Sequence, residues 1–474
     1  MAAKAVVIGS GPNGLAAAIT LAQSGHRVTV YEAANEIGGG TRSAQLTLPA
    51  FMHDICSSVY PMAVSSEFFR RINFEDFGLR WVYPPAALAH PFDDGSAILI
   101  TRSLDETSAQ LGADGARLRD WLAPFVERWS ELSADILRPA RFPRHPRLAA
   151  RFGRDAAFSA VSAARRRFST EKARAVFAGI AAHSVMPLTA WGSAAFGMLL
   201  WTTCHAVGWP FAQGGAQSIA NALRRCLDRL GGSTVTNARI TSLSDLPETP
   251  LVMCDLTPRQ FLKIAEGRIS ARERNTLQTF RYGPAAFKVD WALDGPIPWN
   301  APKCREAGTV HLGGSLEEIA DSEQRAWSGT PADKPFVLLT QPSLFDSTRA
   351  PEGQHTAWAY CHAPNGSTAN MLPAIESQIE RFASGFRARV IARSVMSPAD
   401  LEAHNANLIG GDFSGGALSL DRLVRKSTSW SYRTSLPGVF LCSSSTPPGP
   451  GVHGLCGYFA AKLAHRMTQT TSAG

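Results

Sequence analysis

The sequence predicts an α/β chain of two interleaved domains, one opening with a parallel βαβ unit and the other combining a mixed sheet with a helical insert. Three observations predict it. Residues 5–31 read strand, helix, strand. Residues 113–206 are dominated by Ala, Arg and Leu and read as helical. Strand patterns then return over 285–390 and again at 439–442, so neither domain is continuous in sequence. A length of 474 residues exceeds what one hydrophobic core usually covers. We assign residues 1–85, 207–283 and 408–474 to the first domain, and 86–206 and 284–407 to the second.

In order, Ala5 to Ile8 is a short apolar strand ending at Gly9, Leu15 to Ala22 is an alanine-rich helix stopped by Ser24-Gly25, and Arg27 to Tyr31 is the second strand. From Leu46 to Leu111 short strands alternate with turns such as Tyr83-Pro84-Pro85 and Asp93-Asp94-Gly95. Pro139, Pro143 and Pro146 break the helical block that follows. The apolar run from Trp191 to Phe211 contains Thr202, Thr203, His205 and Pro210, which predicts a buried helix and not a membrane span. After Gly214-Gly215, Ala216 to Leu230 is a helix, Thr234 to Leu243 reads as paired short strands, and Leu251 to Cys254 is a strand. Strands at Phe287 to Leu293, Pro335 to Leu339 and His355 to Tyr360, with a helix from Met371 to Phe382, predict the second sheet. The strand Val439 to Cys442 and a helix from Gly454 to Met467 close the chain.

Composition excludes several classes. With 45% hydrophobic and 18% charged residues, disorder is not expected. The eight cysteines are scattered without CxxC pairs, so they read as reduced thiols and no metal site is expected. The chain runs into its first strand without a charged and apolar leader, which predicts a cytoplasmic location. Arginines crowd the stretch from Arg138 to Arg167, and the net charge is +8. A solvated helical face and peripheral contact with anionic lipid headgroups are both open there. Nucleic acid is not expected, since no recognition motif accompanies the run.

The chemistry-bearing signal is Gly9-Ser10-Gly11-Pro12-Asn13-Gly14 between the first strand and helix, with Glu32 ending the next strand. Gly9 permits the tight turn, Gly11 lets backbone approach a pyrophosphate, and Gly14 lets helix and sheet pack closely. The helix N-terminus supplies positive potential for phosphates, and Glu32 is suited to accept from ribose hydroxyls. A second glycine cluster, Ile37-Gly38-Gly39-Gly40-Thr41-Arg42, follows at once, with Arg42 placed to pair with a pyrophosphate. A third segment runs from Val439 through Ser443-Ser444-Ser445-Thr446-Pro447-Pro448-Gly449-Pro450-Gly451-Val452-His453-Gly454. There a strand, a glycine/proline loop and a helix in succession aim helix amides at an electron-rich ligand edge.

An acid followed by such a glycine loop resembles the glutathione-reductase-type FAD proteins. Together with Gly214-Gly215 and Gly410-Gly411-Asp412, these segments resemble the phytoene desaturase-like branch of the FAD-dependent amine oxidase superfamily, and within it the pyridine nucleotide-disulfide oxidoreductase domain-containing 2-like proteins. The resemblance implies a Rossmann-type, interrupted FAD-binding domain with Ile240 near the adenine and Val452 near the pyrimidine end of the flavin. It also implies a separate substrate domain. One departure stands out: where a Gly-Asp pair often follows the last strand in this class, Leu441 leads into Cys442 and three serines.

For catalysis, Lys288 sits within the strand Phe287-Lys288-Val289-Asp290-Trp291, and the amine oxidase resemblance implies a lysine that holds a water near the flavin; the alternative is a strand lysine facing solvent. His453 is suited to relay a proton or to cap its helix. His53 and Asp54 are expected near flavin and substrate, or as a buried hydrogen-bonded pair, and His205 as a satisfied core histidine. The function so implied is hydride transfer from a C–H bond of an apolar, isoprenoid-like substrate to FAD, giving a desaturated product, with oxygen, a quinone or a nicotinamide as acceptor. Amine oxidation, saturation in the reverse direction, and a flavin-free escort-like module for prenylated cargo are the alternatives.

Overall fold

The computed structural model describes residues 4–418 and 432–471. The opening unit is β1 (Lys4–Ile8), α1 (Pro12–Gln23) and β2 (Arg27–Tyr31). The ribbon β3 (Ser43–Ala44) and β4 (His53–Asp54), then α2 (Pro61–Ser65) and α3 (Glu67–Arg70), lead to β5 (Trp81–Val82), β6 (Ala86–Pro91) and β7 (Ala97–Thr101). The helical insert comprises α4 (Leu104–Gln110), α5 (Gly115–Glu127), α6 (Trp129–Ile136), α7 (Pro146–Ala156), α8 (Ala160–Arg167), α9 (Glu171–Ala181) and α10 (Ser193–Ala206). The chain then returns through β8 (Phe211–Ala212), α11 (Gln217–Arg229), β9 (Ser233–Val235), β10 (Leu251–Cys254), α12 (Pro258–Ile264) and α13 (Ala271–Gln278). β11 (Ala285–Leu293), β12 (Ala307–Leu312), α14 (Leu316–Trp327), β13 (Val337–Thr340), β14 (His355–Ala363), α15 (Leu372–Phe382), β15 (Val390–Met396) and α16 (Pro398–His404) follow. β16 (Val439–Leu441) and α17 (Leu455–Thr471) close it.

The five-stranded sheet has the order β16-β10-β1-β2-β9, with every pairing parallel. β10 is buried along its whole length and β1 over four of its five residues, which is why both read as unbroken apolar runs: a parallel sheet is covered on both faces. β1 lies between β2 and β10, so connections leave it in opposite directions, and the crevice outside its C-terminal end is where open α/β sheets bind ligands. The seven-stranded sheet, β15-β11-β14-β13-β12-β6-β7, is antiparallel except where β12 meets β6. Its register sets Lys288 beside Tyr360, Tyr360 beside Leu338, and Leu338 beside His311, one row across four strands and therefore one face.

Pro139 and Pro143 fall between α6 and α7, and Pro146 takes the first position of α7. The apolar run after Trp191 becomes α10, buried as expected, and no helix among the described residues is long and apolar enough to cross a membrane. One expectation fails. The stretch from Thr234 to Leu243 does not pair with itself, because after the short β9 its backbone bonds to the loop beyond β2: Ala238 N donates to Glu32 O and Asn237 N to Ala34 O. Asn237 takes the left-handed conformation there, φ +53°, as asparagine tolerates.

Candidate functional site

The loop between β1 and α1 is built on close backbone approaches. Gly9 has φ +94° and donates its amide to Tyr31 O, while a Cβ on Gly14 would lie 2.1 Å from Gly9 O. Pro12 occupies the first turn of α1, where its missing N–H costs nothing. The second glycine cluster folds onto this loop: Gly38 N donates to Ser10 O, and a Cβ on Gly39 would meet Gly11 Cα at 3.0 Å. Glu32 is buried and already engaged, one carboxylate oxygen accepting from Ser10 N at 2.9 Å and from Ser10 Oγ, the other from Ala34 N. It therefore locks the loop to the end of β2. Thr41 Oγ1 donates to Gly38 O, and Gly40 faces open space, with nothing nearer than Cys56 Cβ at 4.0 Å.

Arg42 is only 7% exposed, and the single hydrogen bond of its side chain among the described residues runs from Nε to Gly39 O. Its two terminal nitrogens have no acceptor among the described residues. Such a buried cation calls for an anionic partner.

The C-terminal segment reaches the same place. α17 packs along α1 so closely that a Cβ on Gly457 would lie 1.8 Å from Asn13 O, and the first turns of both helices meet. Asn13 Oδ1 there is buried without a hydrogen-bond partner among the described residues. In the loop before α17, Gly449 and Gly451 have φ of +117° and +130°, and Gly449 has no neighbour within 4 Å of a would-be side chain. Ser443 Oγ donates to Leu256 O, and Val452 is half-buried against the core. Ile240 packs with Tyr31 beside β1 and β10. His453 accepts from Leu455 N on Nδ1 and donates from Nε2 to Gly449 O, and burial lowers its pKa to about 4. With both ring nitrogens taken, it clamps the loop.

Lys288 does not face solvent. It is 2% exposed and forms an ion pair with Asp290, two residues on along β11, with its Nζ 5.8 Å from the centroid of the Trp358 ring. His53 Nδ1 stands 3.5 Å from the same Asp290, and its Nε2 bonds Thr47 Oγ1. The Cys56 thiol is pushed up by burial, against the pull of Lys288 and Arg42; His404 is lowered to about 4 by burial and then by Arg42 and Lys288. Buried Arg42, Lys288, Asp290 and His53 therefore share one electrostatic neighbourhood with the half-buried Cys56 and His404.

Asp54 lies beside this group with a different task. Its carboxylate accepts two bonds from Arg349 at 3.1 Å, and one each from Ser43, Ser58 and the Ala216 amide. Burial works to raise its pKa, but Arg349 and these donors outweigh it and hold the group below the usual range. Asp54 ties β4, α11 and the Arg349 turn together. The expected His53–Asp54 hydrogen bond is not formed, because adjacent strand residues point to opposite faces. His205 is buried, and neither ring nitrogen forms a hydrogen bond of good geometry among the described residues, although the backbone of Thr101 and Arg102 lies beside the ring.

Asp255, Asp290 and His404 carry no local motif. Asp255 alone had a signal, an acid directly after the apolar strand that flanks β1. Its Oδ2 accepts from Gly14 N at 2.9 Å, and burial raises its pKa to about 7. No group of residues able to hold a metal ion occurs among the described residues.

The description NAD(P)-binding Rossmann-like domain matches residues 7–72. Among curated proteins, the chain is 28% identical over 301 residues to mouse pyridine nucleotide-disulfide oxidoreductase domain-containing protein 2, covering 54% of this chain and 51% of that one. It is 26% identical over 395 residues to phytoene dehydrogenase of Streptomyces griseus, covering 76% and 73%. The chain thus spans about half the length of the mouse relative. Among solved structures, an oxidoreductase from Methanosarcina mazei superposes with a TM-score of 0.67 at 15% identity over 97% of this chain and 99% of that one. Cyclohexylamine oxidase from Brevibacterium oxydans does so with 0.60 at 13% identity over the whole of both chains. At these identities the structural likeness is one of fold: an α/β Rossmann-type domain joined to a mixed-sheet and helical domain.

Proposed function

We propose that this chain is an FAD-dependent oxidoreductase that oxidises a C–H bond of a small, largely apolar substrate to leave a double bond. The observation that carries the reading is the meeting of α1 and α17, whose glycine and asparagine backbones touch at Gly457 and Asn13. Both helix N-termini then direct positive potential into one crevice, a geometry suited to a cofactor with a pyrophosphate at one end and an electron-accepting ring at the other. The residues fit such a group: Arg42 has terminal nitrogens in want of an acceptor, Asn13 Oδ1 is unpartnered, and Gly40 and Gly449 leave open space. Gly9, Gly11, Asn13, Gly14, Glu32, the loop from Gly38 to Arg42, Ile240, Ser443 and the loop from Gly449 to Val452 are the residues we assign to holding it. We also propose the division into a cofactor domain of residues 1–85, 207–283 and 408–474 and a substrate domain of 86–206 and 284–407, which the membership of the two sheets supports.

When bound, the flavin supplies a two-electron acceptor for hydride. The protein supplies the rest. Lys288, fixed by Asp290 and excluded from water, sets a cation in the buried neighbourhood and orients a proton-bearing group there. Asp290, braced from the far side by His53, keeps that ammonium in place. His453 holds the Gly449 loop in shape, and Asp54 with Arg349 fixes the frame behind Cys56. Phytoene dehydrogenase among the relatives supports an apolar substrate.

A second reading, amine oxidation, is favoured by the burial of Lys288 on its strand. The two separate in one experiment. The purified protein should be yellow and release FAD on denaturation; its flavin should bleach anaerobically with polyenes or terpenoids and not with amines. A colourless protein that fails to take up added FAD would overturn both readings.

A further inference from the structure

On the far side of α17 from the glycine loops, α3, α6 and the loop after α6 enclose a cleft of about 260 Å³. Its lining carries five cations, Arg70, Arg71, Arg138, Arg144 and Lys462, against one carboxylate, Glu67. That carboxylate is committed already: Arg71 donates to it at 2.7 Å and the Tyr458 hydroxyl at 3.0 Å. The side chains of Arg70 and Arg144 have no acceptor among the described residues, and Arg138 Nε is buried without one. Ser65, also in the lining, is 1% exposed and its hydroxyl has no hydrogen-bond partner. A buried hydroxyl and a buried guanidinium N–H left unpaired in one cleft each forfeit hydration unless something enters to accept from them.

The cations also act on one another. Burial lowers the pKa of Lys462, Glu67 opposes this, and Arg71, Arg466 and Arg138 lower it further; burial, Arg141 and Arg144 lower that of Arg138 against Glu67 and Asp135. An anion in the cleft removes that repulsion. Guanidinium forks match phosphate oxygens two at a time, and a hydroxyl donor beside them selects an acceptor-rich group over chloride.

We propose that this cleft is a binding site for a phosphate-bearing anion, held by Arg70, Arg138, Arg144 and Lys462 and oriented by the Ser65 hydroxyl. The site is separate from the proposed cofactor crevice and does not depend on it. The phosphate can belong to a soluble metabolite or to a lipid headgroup. Phe142, 84% exposed between Arg141 and Arg144, gives the second source an apolar foothold at the rim. The next residue, Ser66, donates its hydroxyl to His453 O at 2.6 Å, so an occupant touching Ser65 bears on the loop before α17 as well.

The test is calorimetric titration of the full chain with pyrophosphate at fixed ionic strength, beside flotation with phosphatidylcholine vesicles made with and without phosphatidic acid. We expect saturable pyrophosphate binding, at least tenfold weaker in Lys462→Gln and in Ser65→Ala, and near wild type in Lys462→Arg. Arg70→Gln, at an exposed position, serves if a buried variant fails to fold. Flotation only with phosphatidic acid, competed by pyrophosphate, identifies a lipid headgroup; pyrophosphate binding without flotation identifies a soluble anion. No saturable binding, or equal binding in folded Lys462→Gln and Ser65→Ala, overturns the proposal.

Discussion

Asp255 sets its carboxylate against the Gly14 amide at 2.9 Å, with the same oxygen 2.7 Å from where a Cβ on Gly11 would stand. A carboxylate thus occupies the inner side of the loop whose outer side we assign to phosphate. Burial raises its pKa to about 7, the Gly14 amide opposes this, and Glu32 adds to the rise. The unfolded chain loses this proton near pH 4, whereas the folded chain keeps it to about pH 7. The contribution of Asp255 to stability therefore falls as pH climbs through that window and is level above it. A three-unit difference corresponds to as much as about 4 kcal/mol. His453 and His404, lowered to about 4 by burial, contribute with the opposite sign over the same range, so the comparison is between two proteins. Denaturant melts from pH 4 to 8 should show the stability of wild type relative to Asp255→Asn declining between pH 4 and 7; a difference that does not change with pH would refute the assignment.

Lys288 and Asp290 form a buried pair whose two members are 2% and 0% exposed. Lys288→Met strands the Asp290 charge, and loss of one member of a buried pair costs about 3–5 kcal/mol. Adding Asp290→Asn should return much of that stability without returning activity. If the double variant is no more stable than the single one, the pair does not carry the charge balance described.

Arg42 offers its terminal nitrogens to no group among the described residues. If an anionic cofactor is their acceptor, Arg42→Ala loses hydrogen bonds to a charged partner, about 1.5–3 kcal/mol, or about ten- to a hundredfold in Kd. Arg42→Lys should fall between. The flavin-to-protein ratio after desalting reads this directly, and an unchanged ratio in Arg42→Ala would remove Arg42 from the site.

The βαβ opening, the helical insert and the last strand and helix were legible because each is local: a periodic run bounded by glycine or proline. The glycine loop was legible because its spacing is the constraint itself. What the sequence did not show was made by register and crossover. Tyr360 comes to lie beside Lys288 only because strands far apart in sequence pair in one sheet, and His404 comes within reach of Arg42 only because the tertiary fold carries the end of α16 to the second glycine cluster. The missing strand between Thr234 and Leu243 has the same origin, since the loop beyond β2 competes for its amides. His453 was recognised as a residue of the loop, but its role follows from two hydrogen bonds that spacing does not encode.

The contact of α17 with α1 can be tested where two effects of one substitution have opposite sign. Glycine within a helix costs about 1 kcal/mol relative to alanine, so Gly→Ala should stabilise wherever the added methyl has room. At Gly153, in α7, nothing lies within 4 Å of the new Cβ, and Gly153→Ala should raise stability by about 0.5–1 kcal/mol. At Gly457 the same methyl would lie 1.8 Å from Asn13 O and 2.9 Å from Ala17 N, both backbone atoms of a helix that cannot yield alone. Overlap of that size forces α17 away from α1 and outweighs the gain in propensity, so Gly457→Ala should lose about 1–3 kcal/mol. It should also release the bound flavin, because the two helix N-termini part together, whereas Gly153→Ala should keep it. Thermal melts of both variants with flavin content measured on the same samples decide the matter: a Gly457→Ala protein as stable and as yellow as wild type would show that the two ends of the chain do not meet as described.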